Sequence, residues 1–324
     1  MKIKNINIKG LHKEWNLSCA FDAKVNILSG INGAFKSTLL RLIRDLLLSR
    51  KINKDPIDGA EIKFSSNISL FHKHFEDSLL SLKKVQNDNL LEELAAQVQS
   101  DLKDVDEKTL SERILKADIT AFRVNGEKMS VKAFNEKCKV DFISTFDMPQ
   151  PEAGLSFLDF LLVDKERDYA YYLSDLAKSV TQKIVVEGNI AKEKLDEIYR
   201  QNNLFLDIMN EAFSITGKVI DTSQSKLSFK IDDRILDSRS LSSGEKQLLI
   251  IMLTVLLERN NEYILLMDEP ETSMHFEWQR KLIGNIIALN PNCQIILTSH
   301  SPAIVMDGWE QFVLSMDDIR TKIQ

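Results

Sequence analysis

Cysteine is scarce in this chain. Cys19, Cys138 and Cys293 are three scattered residues without metal-ligand spacing, so the sequence encodes neither a disulfide framework nor a zinc site, and a reducing compartment suits them. Long apolar runs are missing too. The longest, Leu248 to Leu257, is interrupted by Thr254 and is too short to span a bilayer. The amino terminus, Met1-Lys2-Ile3-Lys4, alternates polar and apolar residues like a strand and carries no secretory core. No basic run stands out and the net charge is −6, which leaves no electrostatic footprint for nucleic acid. Sustained heptads are absent, which excludes a long coiled coil. These absences predict a soluble, cytoplasmic protein without a membrane span. At 324 residues, 44% hydrophobic and 28% charged, the chain is long enough for a large core and for two structural units.

What is present is organised around Tyr263-Ile264-Leu265-Leu266-Met267-Asp268-Glu269-Pro270-Glu271. An apolar run cut off by adjacent carboxylates and a proline reads as a buried parallel strand that carries acids to its carboxyl end, where α/β sheets place ligands. One acid there can hold Mg²⁺ or order a water on it. Its neighbour can take a proton from an attacking water.

Such acids call for a phosphate-gripping loop. Val25 to Leu28 predicts a short strand, then come Gly30-Ile31-Asn32-Gly33-Ala34-Phe35-Lys36-Ser37-Thr38, and Leu39, Leu42, Ile43, Leu46 and Leu47 follow at helical spacing. In that context backbone N–H groups face phosphate, the lysine supplies charge and the serine hydroxyl can ligate Mg²⁺. The pattern departs at Phe35, where G-x-x-x-x-G-K-[ST] has glycine. A phenylalanine there either crowds the phosphates or takes a backbone angle it disfavours. An ordinary strand-to-helix turn rich in Asn and Gly is the alternative.

Two further places carry the pattern. Leu241-Ser242-Ser243-Gly244-Glu245-Lys246-Gln247 precedes an apolar helix; the serines suit a helix cap, and the bare N–H groups of the helix start also suit a γ-phosphate. Gln294 to Leu297 predicts a buried strand ending in Thr298-Ser299-His300-Ser301-Pro302, with His300 either structural or set against a γ-phosphate. Gln150, just past a strand over Val140 to Phe146, is either a sensor of Mg²⁺ or its water, or a common loop glutamine.

The rest of the chain supplies the frame. Strands are predicted over Ile3 to Leu11, Trp15 to Phe21, Lys218 to Ile220 and through Leu227, Phe229 and Ile231, with a hairpin turning at Asn125-Gly126. Helices are predicted over Leu70 to Leu82, Leu90 to Leu102, Leu155 to Val180, Ile190 to Phe213 and Phe276 to Leu289. His72 and His74 lack a third ligand and read as a solvated face. The expected domains are a core segment over 1–50, a mixed insertion over 51–149, a helical lobe over 150–216 and the returning core over 217–324.

On these residues the chain resembles the ATP-binding-cassette ATPases. Gly30 to Thr38 matches the Walker A loop, Leu241 to Gln247 the signature motif, Ile264 to Glu269 the Walker B strand with its catalytic glutamate, and His300 the switch histidine. Asp268-Glu269-Pro270-Glu271 with His275, and Thr298 to Pro302, resemble the soluble branch of SMC, RecF and OLD-type proteins more than transporter subunits. The chain stops soon after His300, leaving no room for the Toprim nuclease of OLD proteins. The likeness extends to the ATPase subunits of anti-phage systems such as Septu and related retron cassettes. It implies an α/β P-loop fold with an amino-terminal antiparallel β-layer, a parallel core sheet and an inserted helical lobe.

The resemblance also implies roles and ligands. ATP would lie against Gly30, Asn32, Gly33, Ala34, Phe35, Lys36, Ser37 and Thr38. Lys36 would hold the β- and γ-phosphates, Ser37 and Asp268 the Mg²⁺, Glu269 the attacking water and His300 the γ-phosphate. Ser243 and Gly244 would act in trans across a head-to-tail homodimer whose nucleotide state controls a separate effector, such as a nuclease, in anti-phage defence. A DNA repair ATPase of RecF or SMC type, a scaffold with slow or no hydrolysis, and a transporter ATPase are the alternatives.

Overall fold

The computed structural model describes residues 1–52, 54–75, 117–144, 156–222 and 227–323. Gln150 and the helices predicted over 76–82 and 90–102 lie outside them. The chain divides into two compact units. One is Met1–Lys2, Asp22–Leu40 and Lys139–Met316; the other is Ile3–Phe21, Arg41–Cys138 and Asp317–Gln324. Among the described residues no helix is long and apolar enough to cross a membrane.

The second unit is built on an antiparallel sheet. Its strands are β1 (Ile3–Leu11), β2 (Trp15–Ala20), β4 (Gly59–Phe64), β5 (Ile68–Phe75), β6 (Ala117–Val124), β7 (Glu127–Met129) and β15 (Arg320–Lys322), in the order β15-β2-β1-β4-β5-β6-β7. Alternation places Ile3, Ile6, Ile8, Ile62, Ile68 and Leu70 inside. Between β6 and β7 the chain turns at Asn125 and Gly126, both at positive φ, as Asn-Gly hairpins require. Helix α2 (Val131–Lys137) sets Phe134 against Phe122, ring centroids 4.1 Å apart.

Two expectations fail here. Residues 70–75 are strand, not helix: buried Leu70 and His72 alternate with more exposed neighbours at period two, and pairing with β4 and β6 settles the choice that propensity left open. His72 is also buried, 3.0 Å from Thr120 Oγ1 through its Nδ1, and so does not belong to a solvated face.

The first unit carries a parallel sheet of β3 (Val25–Ser29), β8 (Val140–Ser144), β12 (Tyr263–Asp268), β13 (Cys293–Thr298) and β14 (Val313–Ser315), ordered β14-β3-β13-β12-β8. Every residue of β12 and β13 is buried, which explains their largely apolar character, Gln294 apart, up to the polar residues at their carboxyl ends. Register aligns Asp268 with Ser144 and with Thr298, and Thr298 with Leu28. The carboxyl ends of β3, β12 and β13 therefore finish along one edge. Beside this sheet β9 (Val219–Asp221), β10 (Ser228–Ile231) and β11 (Arg234–Asp237) form a small antiparallel sheet ordered β11-β10-β9.

Helix α1 (Lys36–Leu47) follows β3 and buries Leu39, Leu42, Ile43, Leu46 and Leu47 along one face. Helices α3 (Phe157–Glu187) and α4 (Lys192–Ser214) meet through Tyr169, whose hydroxyl donates to Asn202 Oδ1 at 2.8 Å, and through Phe205. Helix α5 (Ser243–Leu257) is buried from Gly244 to Leu256, which is why, after its polar first turn, its sequence is apolar on every face but for Thr254. Helices α6 (Phe276–Leu289), α7 (Pro302–Val305) and α8 (Met316–Ile319) complete the described chain. Folding brings α3 to α6 into one core with the parallel sheet.

Candidate functional site

The loop from Gly30 to Phe35 joins β3 to α1. A Cβ on Gly30 would stand 3.2 Å from both Ala34 Cβ and Met316 Cβ, so glycine suits the close packing there. Gly33 has φ 81° and Phe35 φ 68°. Phe35 thus adopts the left-handed backbone that glycine holds without cost, a strain of about 1–2 kcal/mol for an L-residue. Its ring is half-buried, Asn32 and Gly33 are exposed, and Ala34 is buried. The path of a glycine-bearing loop is kept without the glycine.

Lys36 opens α1 and is buried. Its Nζ donates to the carbonyls of Gly30 at 2.8 Å and Ile31 at 3.2 Å, so the loop curls around the ammonium. Burial lowers its pKa, while the nearby charges of Glu269 and Asp268 push the other way. Next in the helix, Ser37 donates its hydroxyl to Asp268 Oδ1 at 2.8 Å, and Thr38 is buried.

Asp268 ends β12 and is almost fully buried. The same Oδ1 accepts from Thr298 Oγ1 at 2.6 Å. Glu269 follows at φ 47° and donates its N–H to both the carbonyl (3.2 Å) and the hydroxyl (3.0 Å) of Thr298. The Glu269 side chain is a quarter exposed. Its Oε1 then lies 3.7 Å from His300 Nε2.

His300 sits in the loop after β13, and Glu271 holds that loop. One oxygen of Glu271 accepts from Ser299 Oγ at 2.5 Å, from the His300 N–H at 3.0 Å and from the Ser301 N–H at 3.3 Å. A buried cation, a hydroxyl–carboxylate pair, a part-exposed carboxylate and an imidazole therefore converge where three parallel strands end. Anion binding, metal ligation by hard oxygen donors and proton acceptance are all within reach of such a set.

Ser243 and Gly244 have a different setting. Ser242 caps α5 in a capping box with Glu245, Ser243 is exposed and Gly244 is buried. A Cβ on Gly244 would stand 2.1 Å from the Ser273 carbonyl oxygen, so this glycine is needed where the helix start meets the turn after Glu271. Glu245 also accepts from Lys218 at 2.8 Å and Thr216 at 2.7 Å. Burial would raise its pKa, but these bonds and those from Ser242 outweigh burial and hold the carboxyl below its usual range.

Sequence reasoning missed Thr298, Glu271 and Gln279. Thr298 had a signal, a hydroxyl closing an otherwise apolar strand, and so did Glu271, a third acid in the Asp-Glu-Pro-Glu run. Gln279 had none, being one polar residue on an amphipathic helix.

Comparison with known proteins bears on this geometry. A family model described as "AAA domain, putative AbiEii toxin, Type IV TA system" matches residues 141–307, just over half of the chain. An uncharacterised protein of Dictyostelium discoideum is 32% identical over 114 residues, which cover 33% of this chain and 14% of that protein. This chain therefore matches only a small part of that longer relative. Among solved structures, an SMC head bound to the C-winged helix domain of ScpA aligns over 100% of this chain and 98% of its own, with a TM-score of 0.51 and 11% identity. The SMC head domain of Thermotoga maritima aligns over 94% and 91%, with a TM-score of 0.47 and 13% identity. The matched residues 141–307 run from β8 through Asp268, Glu269 and His300, the fold is that of an SMC-head-like P-loop ATPase, and the chain belongs to this AAA-domain family.

Proposed function

We propose that the protein binds ATP with Mg²⁺ and hydrolyses it, and that two copies close head to tail around the nucleotide to control a separate effector, such as a nuclease, in anti-phage defence. The observation that carries the ATPase reading is the contact between Ser37 and Asp268, 2.8 Å apart, beside the buried Lys36. The residues fit the ligands. Mg²⁺ takes hard oxygens from one or two protein groups together with phosphate oxygens, and a serine hydroxyl beside a carboxylate is such a donor pair. The start of α1 offers backbone N–H groups without intrahelical acceptors, next to the ammonium of Lys36.

In this reading Lys36 neutralises the β- and γ-phosphates, while Ser37 and Asp268 hold the metal, which would offset charge building on the phosphate oxygens. Glu269 orients a water and takes its proton as the water oxygen bonds to the γ-phosphorus. The bond from that phosphorus to the β–γ bridging oxygen breaks, giving ADP and phosphate. His300 leaves Glu269 for the γ-phosphate. Ser243, exposed at the start of α5, faces the nucleotide of a second copy. The family description names a toxin of a toxin–antitoxin system, and the solved SMC head carries a bound partner domain; both support a role exercised through a partner.

The test is Mg²⁺-dependent ATP turnover by the purified chain, with Glu269→Gln and Ser37→Ala beside it. Turnover should fall by about 100-fold or more in Glu269→Gln. That variant should also form a dimer with ATP, read by light scattering. Wild-type turnover in Glu269→Gln, or failure of the wild type to bind ATP, would overturn the reading.

A further inference from the structure

We propose that Glu271 is the residue that positions His300 for the reaction, through one carboxylate oxygen that gathers the whole loop after β13. The proposal rests on the ATPase reading above. Glu271 is buried, and its Oε1 takes three donors in succession along the chain: the Ser299 hydroxyl, the His300 N–H and the Ser301 N–H. Three consecutive residues held by one oxygen fix the backbone on which the imidazole stands. The other oxygen, Oε2, is buried and has no hydrogen-bond partner among the described residues. Only Oε1 works on the loop.

The bonds close into a ring. Met274 donates its N–H to the Glu271 carbonyl at 2.9 Å, and the Met274 carbonyl accepts from Gln279 Nε2 at 2.9 Å. Gln279 Oε1 accepts from Ser301 Oγ at 2.5 Å, and the Ser301 N–H returns to Glu271. The turn after the acids and the loop bearing His300 are thereby tied into one piece. Ser273 belongs to the same turn, and its carbonyl is the atom that Gly244 packs against. A displacement of His300 is thus coupled through Glu271 to the start of α5. A chain placing an apolar residue at 271 would keep Glu269 and lose this tie.

Hydrogen exchange, ATP turnover and fluorescent-nucleotide binding test it on the full chain. In Glu271→Ala the His300 amide should exchange at least about tenfold faster, the factor that goes with losing a bond to a charged acceptor, while the Ser299 amide, bonded to the Leu28 carbonyl at 3.4 Å, and 30–38 exchange as before. In Glu271→Gln, which keeps the accepting oxygen, both regions should match wild type. Turnover in Glu271→Ala should fall about as far as in His300→Ala, with nucleotide affinity unchanged. The double variant should be no slower than His300→Ala alone, as for residues acting as a unit. Multiplying losses in the double variant, or unchanged exchange at the His300 amide, would overturn the proposal. If Glu271→Ala fails to fold, Glu271→Asp decides, since it keeps the charge but withdraws the acceptor: slower turnover with unchanged affinity supports positioning, and wild-type turnover refutes it. If the wild type hydrolyses no ATP while Glu271→Ala still loosens the loop, the ATPase reading fails and the tie between Glu271 and the loop remains.

Discussion

Asp268 accepts two hydroxyls at one oxygen, Ser37 at 2.8 Å from the helix after the Gly30–Phe35 loop and Thr298 at 2.6 Å from the adjacent strand. The pair Ser37–Asp268 joins residues 231 positions apart, one of them next to Lys36 at the start of α1. Thr298 also takes the Glu269 N–H, so a single threonine sets both neighbouring acids.

From this follows an expectation for Thr298. Thr298→Val keeps shape and removes the hydroxyl, leaving Asp268 with Ser37 and the Glu269 N–H with the Thr298 carbonyl. Stability should drop by about 1–2 kcal/mol, and turnover should fall further than that loss explains, because both acids reorient. Thermal unfolding and kcat on one preparation check it; an unchanged kcat would remove Thr298 from the site.

Phe35 at φ 68° predicts an inverted ranking between two small residues. Phe35→Ala and Phe35→Gly both lose the half-buried ring, but only glycine relieves the backbone. Phe35→Gly should therefore be the more stable of the two by about 1 kcal/mol, the reverse of the helix-interior order. Denaturant titration measures the difference.

Gly244 and Ser243 should part company. Gly244→Ala drives a methyl toward the Ser273 carbonyl, 2.1 Å from the new Cβ, and the turn or the helix start must shift. A loss of about 1–3 kcal/mol and weak turnover are expected. Ser243→Ala, on an exposed side chain, should leave stability within about 0.5 kcal/mol while slowing turnover in the proposed ATP-bound dimer. Melting curves beside rates at several protein concentrations separate the two.

Glu245 predicts an acid limb in stability. Its folded carboxyl titrates below the ordinary glutamate value of 4.5. The stabilisation is therefore complete above that pH and disappears as pH falls through the lower folded value. Glu245→Gln should lower stability at neutral pH by about 2–4 kcal/mol, since Lys218 loses its buried partner, and should flatten the fall of melting temperature as pH drops below 4.5. Melting temperature against pH for both proteins reads this directly.

Much of the frame was legible because it is local. Periodicity found α6 at Phe276–Leu289, and mostly apolar runs found β12 and β13, since strands buried on both faces are rich in apolar residues. Residues 70–75 were misread because a short apolar stretch suits helix and strand equally until a neighbouring strand offers its hydrogen bonds. Phe35 shows the same division on a smaller scale: pattern marked the position as abnormal, and backbone geometry showed that the loop accepts the strain.

Residue types and spacing alone determined which groups exist to do chemistry: a lysine and serine after a strand, twin acids ending another, a histidine after a third. Tertiary structure decided which of them meet. Register between β3 and β13, far apart in sequence, and between β13 and β12 aligns Leu28, Thr298 and Asp268 across one edge, and a ring of bonds among Glu271, Met274, Gln279 and Ser301 makes Glu271 the anchor of His300. The physical reason is range. Hydrophobic period and capping act over a few residues, whereas a hydrogen bond such as Ser37–Asp268 is selected only once the sheet has closed and burial has made an unpaired partner costly.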